Sequence, residues 1–363
     1  MTHLNELYLI LNKYLKWNKS HLKCFALIML VIILKQTCNL SSASKALPIK
    51  CLPQSFYRRM QRFFAGQYFD YRQISQLIFN MFSFDQVQLT LDRTNWKWGK
   101  RNINILMLAI VYRGIAIPIL WTLLNKRGNS DTKERIALIQ RFIAIFGKDR
   151  IVNVFADREF IGEQWFTWLI EQDINFCIRV KKNFIVTNHL GKNHKISDLF
   201  RHLKVGQIEC RKRRILVGRV KLYISALQLE NGELLLVVSP QFNANAIHDY
   251  ALRWEIETLF SCLKGRGFNL ENTRLTDPRR VKKLIAVLAI SFCWCYLTGE
   301  WQHDQKKAIK IKKHGRLSMS LFRYGLDYVQ MAIQRLIGFG KKEEFKEILA
   351  ILRRQNPDRI RVL

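Results

Sequence analysis

Three acidic residues in this chain sit where carboxylates do phosphate chemistry. Asp92 ends the alternating stretch QVQLTLD, Asp157 ends the apolar stretch IVNVFAD, and Glu257 lies within YALRWEIETLFSCLK at 250–264. At about 100° per residue, a helix over 250–264 places Arg253, Glu257 and Lys264 within an arc of roughly 60° that also includes Tyr250. Leu252, Ile256, Leu259, Phe260 and Leu263 fall on the opposite, core-facing side. One helix would then present a phenol, a guanidinium, a carboxylate and an ammonium in single file, a face suited to a metal ion and a phosphodiester. Three carboxylates converging from two strands and a helix hold two divalent cations roughly 3.5–4 Å apart. Such a pair activates a water or hydroxyl on one side of a phosphate and stabilises the leaving oxygen on the other. Hard oxygen ligands and a phosphate substrate favour Mg²⁺. Each feature also has an ordinary reading: a solvated helix face, an i,i+4 ion pair between Arg253 and Glu257, or aspartates that serve as turn residues.

Composition supports a polyanionic partner. The chain has 363 residues, with 60 Lys+Arg against 28 Asp+Glu and a formal net charge of +32. That excess is far beyond what solubility requires and points to nucleic acid or an anionic surface. Apolar residues at 49% and aromatics at 12% exclude a disordered basic tail, so the charge decorates a folded body. No transmembrane segment is expected: the run at 24–34 is too short for about 30 Å of hydrocarbon, and Arg113, Gly114 and Pro118 interrupt 104–124. The eight cysteines form no CxxC pair, and no histidine stands at zinc-finger spacing from them. Buried thiols at Cys293 and Cys295, surface histidines at 189, 194 and 202, and a reducing cytoplasm are the expectations.

The elements that must position these groups change period along the chain. Residues 1–85 read as a helical DNA-binding region, with a buried helix near 22–35. A second helix follows Pro53, capped by Ser55, and carries Arg58, Arg59 and Arg62 on one side. It resembles the later helix of a helix-turn-helix module, and a plain amphipathic helix with solvated arginines is the alternative. From 86 the pattern gives three strands, an amphipathic helix opened by Asp131 and Glu134 and closed by Gly147, then strand, helix and strand. That order is the one found in ribonuclease H-like α/β folds, in which the ends of the first and fourth strands meet. They carry Asp92 and Asp157. A β-rich insertion at about 182–246 follows, with a hairpin turn at Asn231-Gly232. The catalytic domain is expected over 86–300 and a basic helical C-terminal region over 301–363. Further basic clusters lie at Arg274, Arg279, Arg280, Lys282 and Lys283, and at Lys306, Lys307, Lys310, Lys312 and Lys313, as phosphate contacts or solvated faces.

The spacing Tyr250-x2-Arg253-x3-Glu257-x6-Lys264 resembles the Y-R-E-K signature of DDE transposases of the insertion-sequence-four family. DRTNW at Asp92 and ADREF at Asp157 resemble that family's two aspartate regions, and KKHGRLSMSLFRYGLDYV at 312–329 is similar to a tail seen in its bacterial members. The resemblance implies a cut-and-paste transposase. Asp92, Asp157 and Glu257 would be catalytic and bind two Mg²⁺, with Mn²⁺ able to substitute. Water would attack at the transposon end, and the freed 3′-hydroxyl would then attack target DNA. Tyr250, Arg253 and Lys264 would grip phosphates, and Trp254 would stack on an unpaired base or sit partly in the core. Arg158 and Glu159 would orient the site without being catalytic. The segment 182–249 contains no Trp, so a hairpin mechanism with a base-flipping Trp from the insertion is not implied. The expected partners are double-stranded DNA, as inverted-repeat ends and target, and a second copy of the chain on that DNA, with no membrane. The expected location is the cytoplasm of a bacterium, at the nucleoid. A metal-dependent nuclease of the same fold and an inactive DNA-binding repressor are the alternative functions.

Overall fold

A computed structural model of the chain describes residues 2–47, 51–187 and 191–353. His189 lies outside the described residues. The chain divides into two compact units, one formed by 1–84, 96–103 and 260–363 and the other by 85–95 and 104–259. This grouping differs from the three consecutive regions expected, because the N-terminal and C-terminal helices share a unit.

The first unit is helical. Its N-terminal part comprises α1 (Thr2–Tyr14), α2 (Lys19–Lys35), α3 (Leu40–Ala43), α4 (Pro53–Gly66) and α5 (Tyr71–Met81). Asn18 starts α2 by accepting from Ser20 N, and the apolar run that follows is buried. Ser55 does not cap α4. The helix begins at Pro53, whose fixed φ and missing N–H suit the first helical position, with Leu52 before it.

The second unit is built on a mixed sheet. β1 (Val87–Trp98), β2 (Arg101–Tyr112) and β3 (Ile115–Leu123) form the meander. The helix α6 (Thr132–Phe146) follows, closed at its start by a reciprocal Asp131/Glu134 capping box and ended at Gly147, φ 92°. Then come β4 (Ile151–Ala156), α7 (Glu163–Glu171) and β5 (Phe176–Arg179). The insertion supplies β6 (Ile185–Thr187), β7 (Asn193–Lys195), β8 (Ile208–Cys210), β9 (Ile215–Val217), β10 (Val220–Gln228) and β11 (Leu234–Ser239). The strand order is β3-β2-β1-β4-β5-β11-β10-β9-β6-β7, with β8 also on β10. β1, β4 and β5 are parallel, and β2/β3 are antiparallel. This is the ribonuclease H-like arrangement. The insertion is not set apart from it, because β11 pairs antiparallel with β5 and continues the same sheet. After the sheet come α8 (Ala246–Ala251), a 3₁₀ turn over Leu252–Trp254, and α9 (Glu255–Leu263).

The chain then completes the helical unit with α10 (Pro278–Gln305), α11 (Leu321–Phe339) and α12 (Glu343–Arg353). α10 has the length and apolarity of a membrane span, a candidate that a reading of 24–34 and 104–124 alone overlooks. Here its apolar run is buried among α2, α4, α5, α11 and α12. Cys293 and Cys295 are free, buried thiols within it. α10 and α11 touch backbone to backbone: a Cβ on Gly325 would overlap the carbonyl oxygen of Cys295 and the amide nitrogen of Gly299. Gly325→Ala should therefore lower unfolding stability by about 1–3 kcal/mol or more, the cost of overpacking a fixed crossing. Chemical denaturation of the two proteins measures it, and equal midpoints would show that the helices separate freely.

Candidate active site

The parallel ladder between β1 and β4 runs through Leu89↔Val154, Thr90↔Phe155 and Leu91↔Ala156. The next residues on the two strands are Asp92 and Asp157. Asp157 follows the end of β4 as expected, whereas Asp92 is mid-strand, because β1 continues to Trp98 as part of the meander. Each aspartate is oriented by its own backbone. Asp92 Oδ1 accepts from Arg93 N at 2.7 Å, and Asp157 Oδ1 from Arg158 N at 2.6 Å.

The two segments are tied together one shell out. Arg93 donates from Nε and Nη2 to the two carboxylate oxygens of Glu159, both at 3.1 Å, a bidentate pair. Its remaining donors reach Asn104 Oδ1 at 3.0 Å and Asn129 Oδ1 at 3.2 Å. Buried Asn104 in turn donates to the carbonyls of Lys126 and Gly128. Arg135 of α6 fixes the loop after Asp157 through the carbonyls of Glu159 and Ile161. No motif in the sequence marks Asn104 or Arg135, and DRTNW includes Arg93 without assigning it a role. Arg93 and Glu159 do stand within two residues of an aspartate with opposite charges, which is the signal the sequence offers. Arg158 instead faces Glu233 at 3.5 Å and is largely exposed.

The expected open stripe over 250–264 does not form. The 3₁₀ turn at 252–254 breaks the helix and changes its angular step. Tyr250 is wholly buried against Phe155, Cys177, Leu235 and Val237, with its hydroxyl 3.5 Å from Asp157 Oδ1. Burial pushes its phenol well above the ordinary tyrosine range. Arg253 is also buried. Its Nη1 lies 3.4 Å from Asp92 Oδ2 and its Nη2 2.6 Å from Glu257 Oε1. The guanidinium packs near the rings of Tyr250 and Trp254, each 5.7 Å from ring centre. Trp254 is 45% exposed, so it is not a core residue. Lys264 lies just past α9 and is ion-paired with Glu271 at 2.7 Å. Between these residues, Glu255 turns inward, and its carboxylate accepts from the amides of Tyr112 at 2.7 Å and Gly114 at 2.9 Å, at the β2–β3 turn. Burial raises Glu255 to about 7 despite those two amides.

The three expected carboxylates therefore do not all converge. Asp92 and Asp157 do, and Glu257 is turned onto Arg253. Among the described residues no group of three His, Cys, Asp or Glu side chains is placed to hold a metal. The aspartate pair nevertheless fits a hard divalent cation. Burial raises Asp92 to about 7, the nearby Asp157 and Glu159 charges add to this, and the Arg93 amide and Arg253 offset only part. The donors are all oxygen, and positive charge is what the pair lacks.

Elsewhere, Arg58 and Arg62 of α4 are exposed, whereas Arg59 donates to Ser20 O at 3.1 Å. The three do not form one open row. Lys282 covers Tyr71 and Lys283 donates to Phe64 O, so part of the expected basic surface is structural. His202 is exposed and bonded to Glu209.

The raised value at Asp92 gives a sign. Folded protein holds that proton up to about pH 7, whereas unfolded chain releases it near 4. Ionisation thus costs stability as pH rises through that window, by at most about 1.4 kcal/mol per pH unit for one group. With metal removed by chelation, Asp92→Asn should be more stable than the parent at pH 8, with the gap closing toward pH 4. Thermal melts across that range check it, and a gap independent of pH would contradict the burial assigned to Asp92.

Residues 83–294, more than half of the chain, match the family model described as the transposase DDE domain. Among solved structures, the chain is similar to piggyBac transposase in a cryo-EM structure of its synaptic complex with hairpin DNA. The TM-score is 0.46 and the identity 12%, over 98% of this chain and 84% of that one. No curated protein matches the chain. By the match over its sheet and the helices that flank it, the chain belongs to the DDE transposase family.

Proposed function

We propose that this protein is a cut-and-paste DNA transposase of the insertion-sequence-four type. It would cleave at inverted-repeat ends and join the freed 3′-hydroxyl to target DNA. The observation that supports this most is the apposition of Asp92 and Asp157 at the end of the β1/β4 ladder, with Arg253 linking Asp92 to Glu257. In this reading Asp92, Asp157 and Glu257 are the catalytic, metal-binding set. Bound divalent cations, two Mg²⁺ on this proposal, supply activation of the attacking oxygen and stabilisation of the leaving one.

The protein's own groups divide the remaining work. Glu257 is more than half exposed in its side chain and can leave Arg253 by rotation to join the aspartates. That exchange frees the Nη2 donor of the guanidinium for a phosphate, in a site where burial strengthens the interaction. Tyr250 keeps Asp157 oriented rather than gripping DNA, since its hydroxyl is turned inward. Trp254 offers an exposed ring for an unpaired base. Lys264 can exchange Glu271 for phosphate, and Arg58 and Arg62 offer open contacts on α4, with Arg59 beside them. A DNA-bound homodimer at the nucleoid of a bacterial cytoplasm completes the reading.

The test is incubation of the protein with Mg²⁺ and DNA carrying its flanking inverted repeats, scored for both cut and joined products. Asp92→Asn, Asp157→Asn and Glu257→Gln should each lower cleavage by on the order of 10³-fold, the loss of several kcal/mol of charge stabilisation. Full cleavage by any of them would remove that residue from the catalytic set. Cutting without joining would instead identify a nuclease, and binding without cutting a repressor.

A further inference from the structure

Between α10 and α11 the chain forms a small ribbon outside the site described above. Ile311 and Leu317 pair as an antiparallel bridge, Lys312 N donates to Arg316 O, and Ser318 N donates to Lys310 O, both at 2.8 Å. Gly315, at φ 81°, makes the turn. Both roots are fixed. Ile309 is buried and its amide donates to His303 Nδ1 at 2.8 Å, while Ser320 caps α11 through Arg323 N. From 310 to 320 every residue is exposed.

Side chains alternate across a strand. One face of the ribbon therefore carries Lys310, Lys312 and Arg316, and Lys313 stands at the tip. No acidic residue occurs from 305 to 326. Lys306 is held by Glu347, and Arg323 by Asp327. Lys310, Lys312, Lys313 and Arg316, by contrast, make no ion pair among the described residues. The register sets Lys312 opposite Arg316, a like-charge pair that destabilises a ribbon in isolation. The other face is apolar and open to solvent, with Ile311 70% exposed. A two-stranded ribbon with few hydrogen bonds, repelling charges and exposed apolar surface gains little by folding back on its own protein. A polyanion would remove the repulsion, and duplex DNA has a major groove wide enough for a two-stranded ribbon.

We propose that the ribbon Lys310–Ser318 is a separate DNA-contacting arm, which sets its cationic face against the phosphates of duplex DNA. The inference rests on the transposase reading only for the identity of the polyanion. It requires nothing of Asp92, Asp157 or Glu257.

The experiment measures equilibrium binding of the full-length protein to a DNA duplex over a salt series. The triple variant Lys310→Gln, Lys312→Gln, Arg316→Gln should lower the magnitude of the log–log salt slope by about 2–3, near 0.9 for each phosphate left without its cation. A charge-keeping variant, Lys310→Arg with Lys312→Arg, should retain the slope. Thermal melts of both should match the parent, because the replaced side chains are exposed. An unchanged slope in the triple variant would overturn the arm. So would an unchanged DNA slope accompanied by lost binding to phosphatidylserine vesicles, which would make the partner a membrane. A lowered slope in a protein whose parent neither cuts nor joins DNA would keep the arm and sink the transposase reading. Cleavage with an unchanged slope would do the reverse.

Discussion

Two carboxylates brought side by side in a half-buried site repel each other, and the parallel register of β1 and β4 forces that arrangement on Asp92 and Asp157. The ladder stops at Leu91↔Ala156, so the aspartates leave the sheet together. What surrounds them can be understood as a response to that constraint. Backbone amides of Arg93 and Arg158 take one oxygen from each, Arg93 spans to Glu159, and the Arg253 guanidinium approaches Asp92. These contacts hold the geometry without fully cancelling the charge. An incompletely neutralised pair of acids suits a site that recruits cations, since complete internal neutralisation would leave them little to bind.

Arg253 has a double allegiance. It holds Asp92 and Glu257 at once, so the third carboxylate is kept from the other two by a cation of the protein's own. Because the guanidinium is buried and the Glu257 carboxylate is not, the partner free to move is the glutamate.

Local chemistry made much of this legible in the sequence. Alternation from Gln86 marked β1, the Asp131/Glu134 box and Gly147 bounded α6, and Asn231-Gly232 marked the β10–β11 turn. Asp92 and Asp157 were placed correctly as neighbours by the order of elements, although the length of β1 beyond Asp92 was not apparent. The break at Leu252–Trp254 left no mark, because YALRWEIE has no Gly or Pro to punctuate it. Tyr250 looked solvent-facing for that reason. Long-range facts were equally silent: β11 returning to β5, and Gly299 meeting Gly325, depend on partners far away in the chain.

Glu255 gives the segment between Arg253 and Glu257 a further property. Its carboxylate bridges the amides of Tyr112 and Gly114, on either side of Arg113, which itself has the left-handed backbone of a tight turn (φ 48°). The start of α9 is thus riveted to the tight β2–β3 turn by two hydrogen bonds. Rigid-body travel of the helix would break both bonds at once, whereas swinging Glu257 breaks only its pair with Arg253. The site resembles a lever on a fixed pivot: the backbone is the mount, and the exposed Glu257 side chain is the part with room to turn.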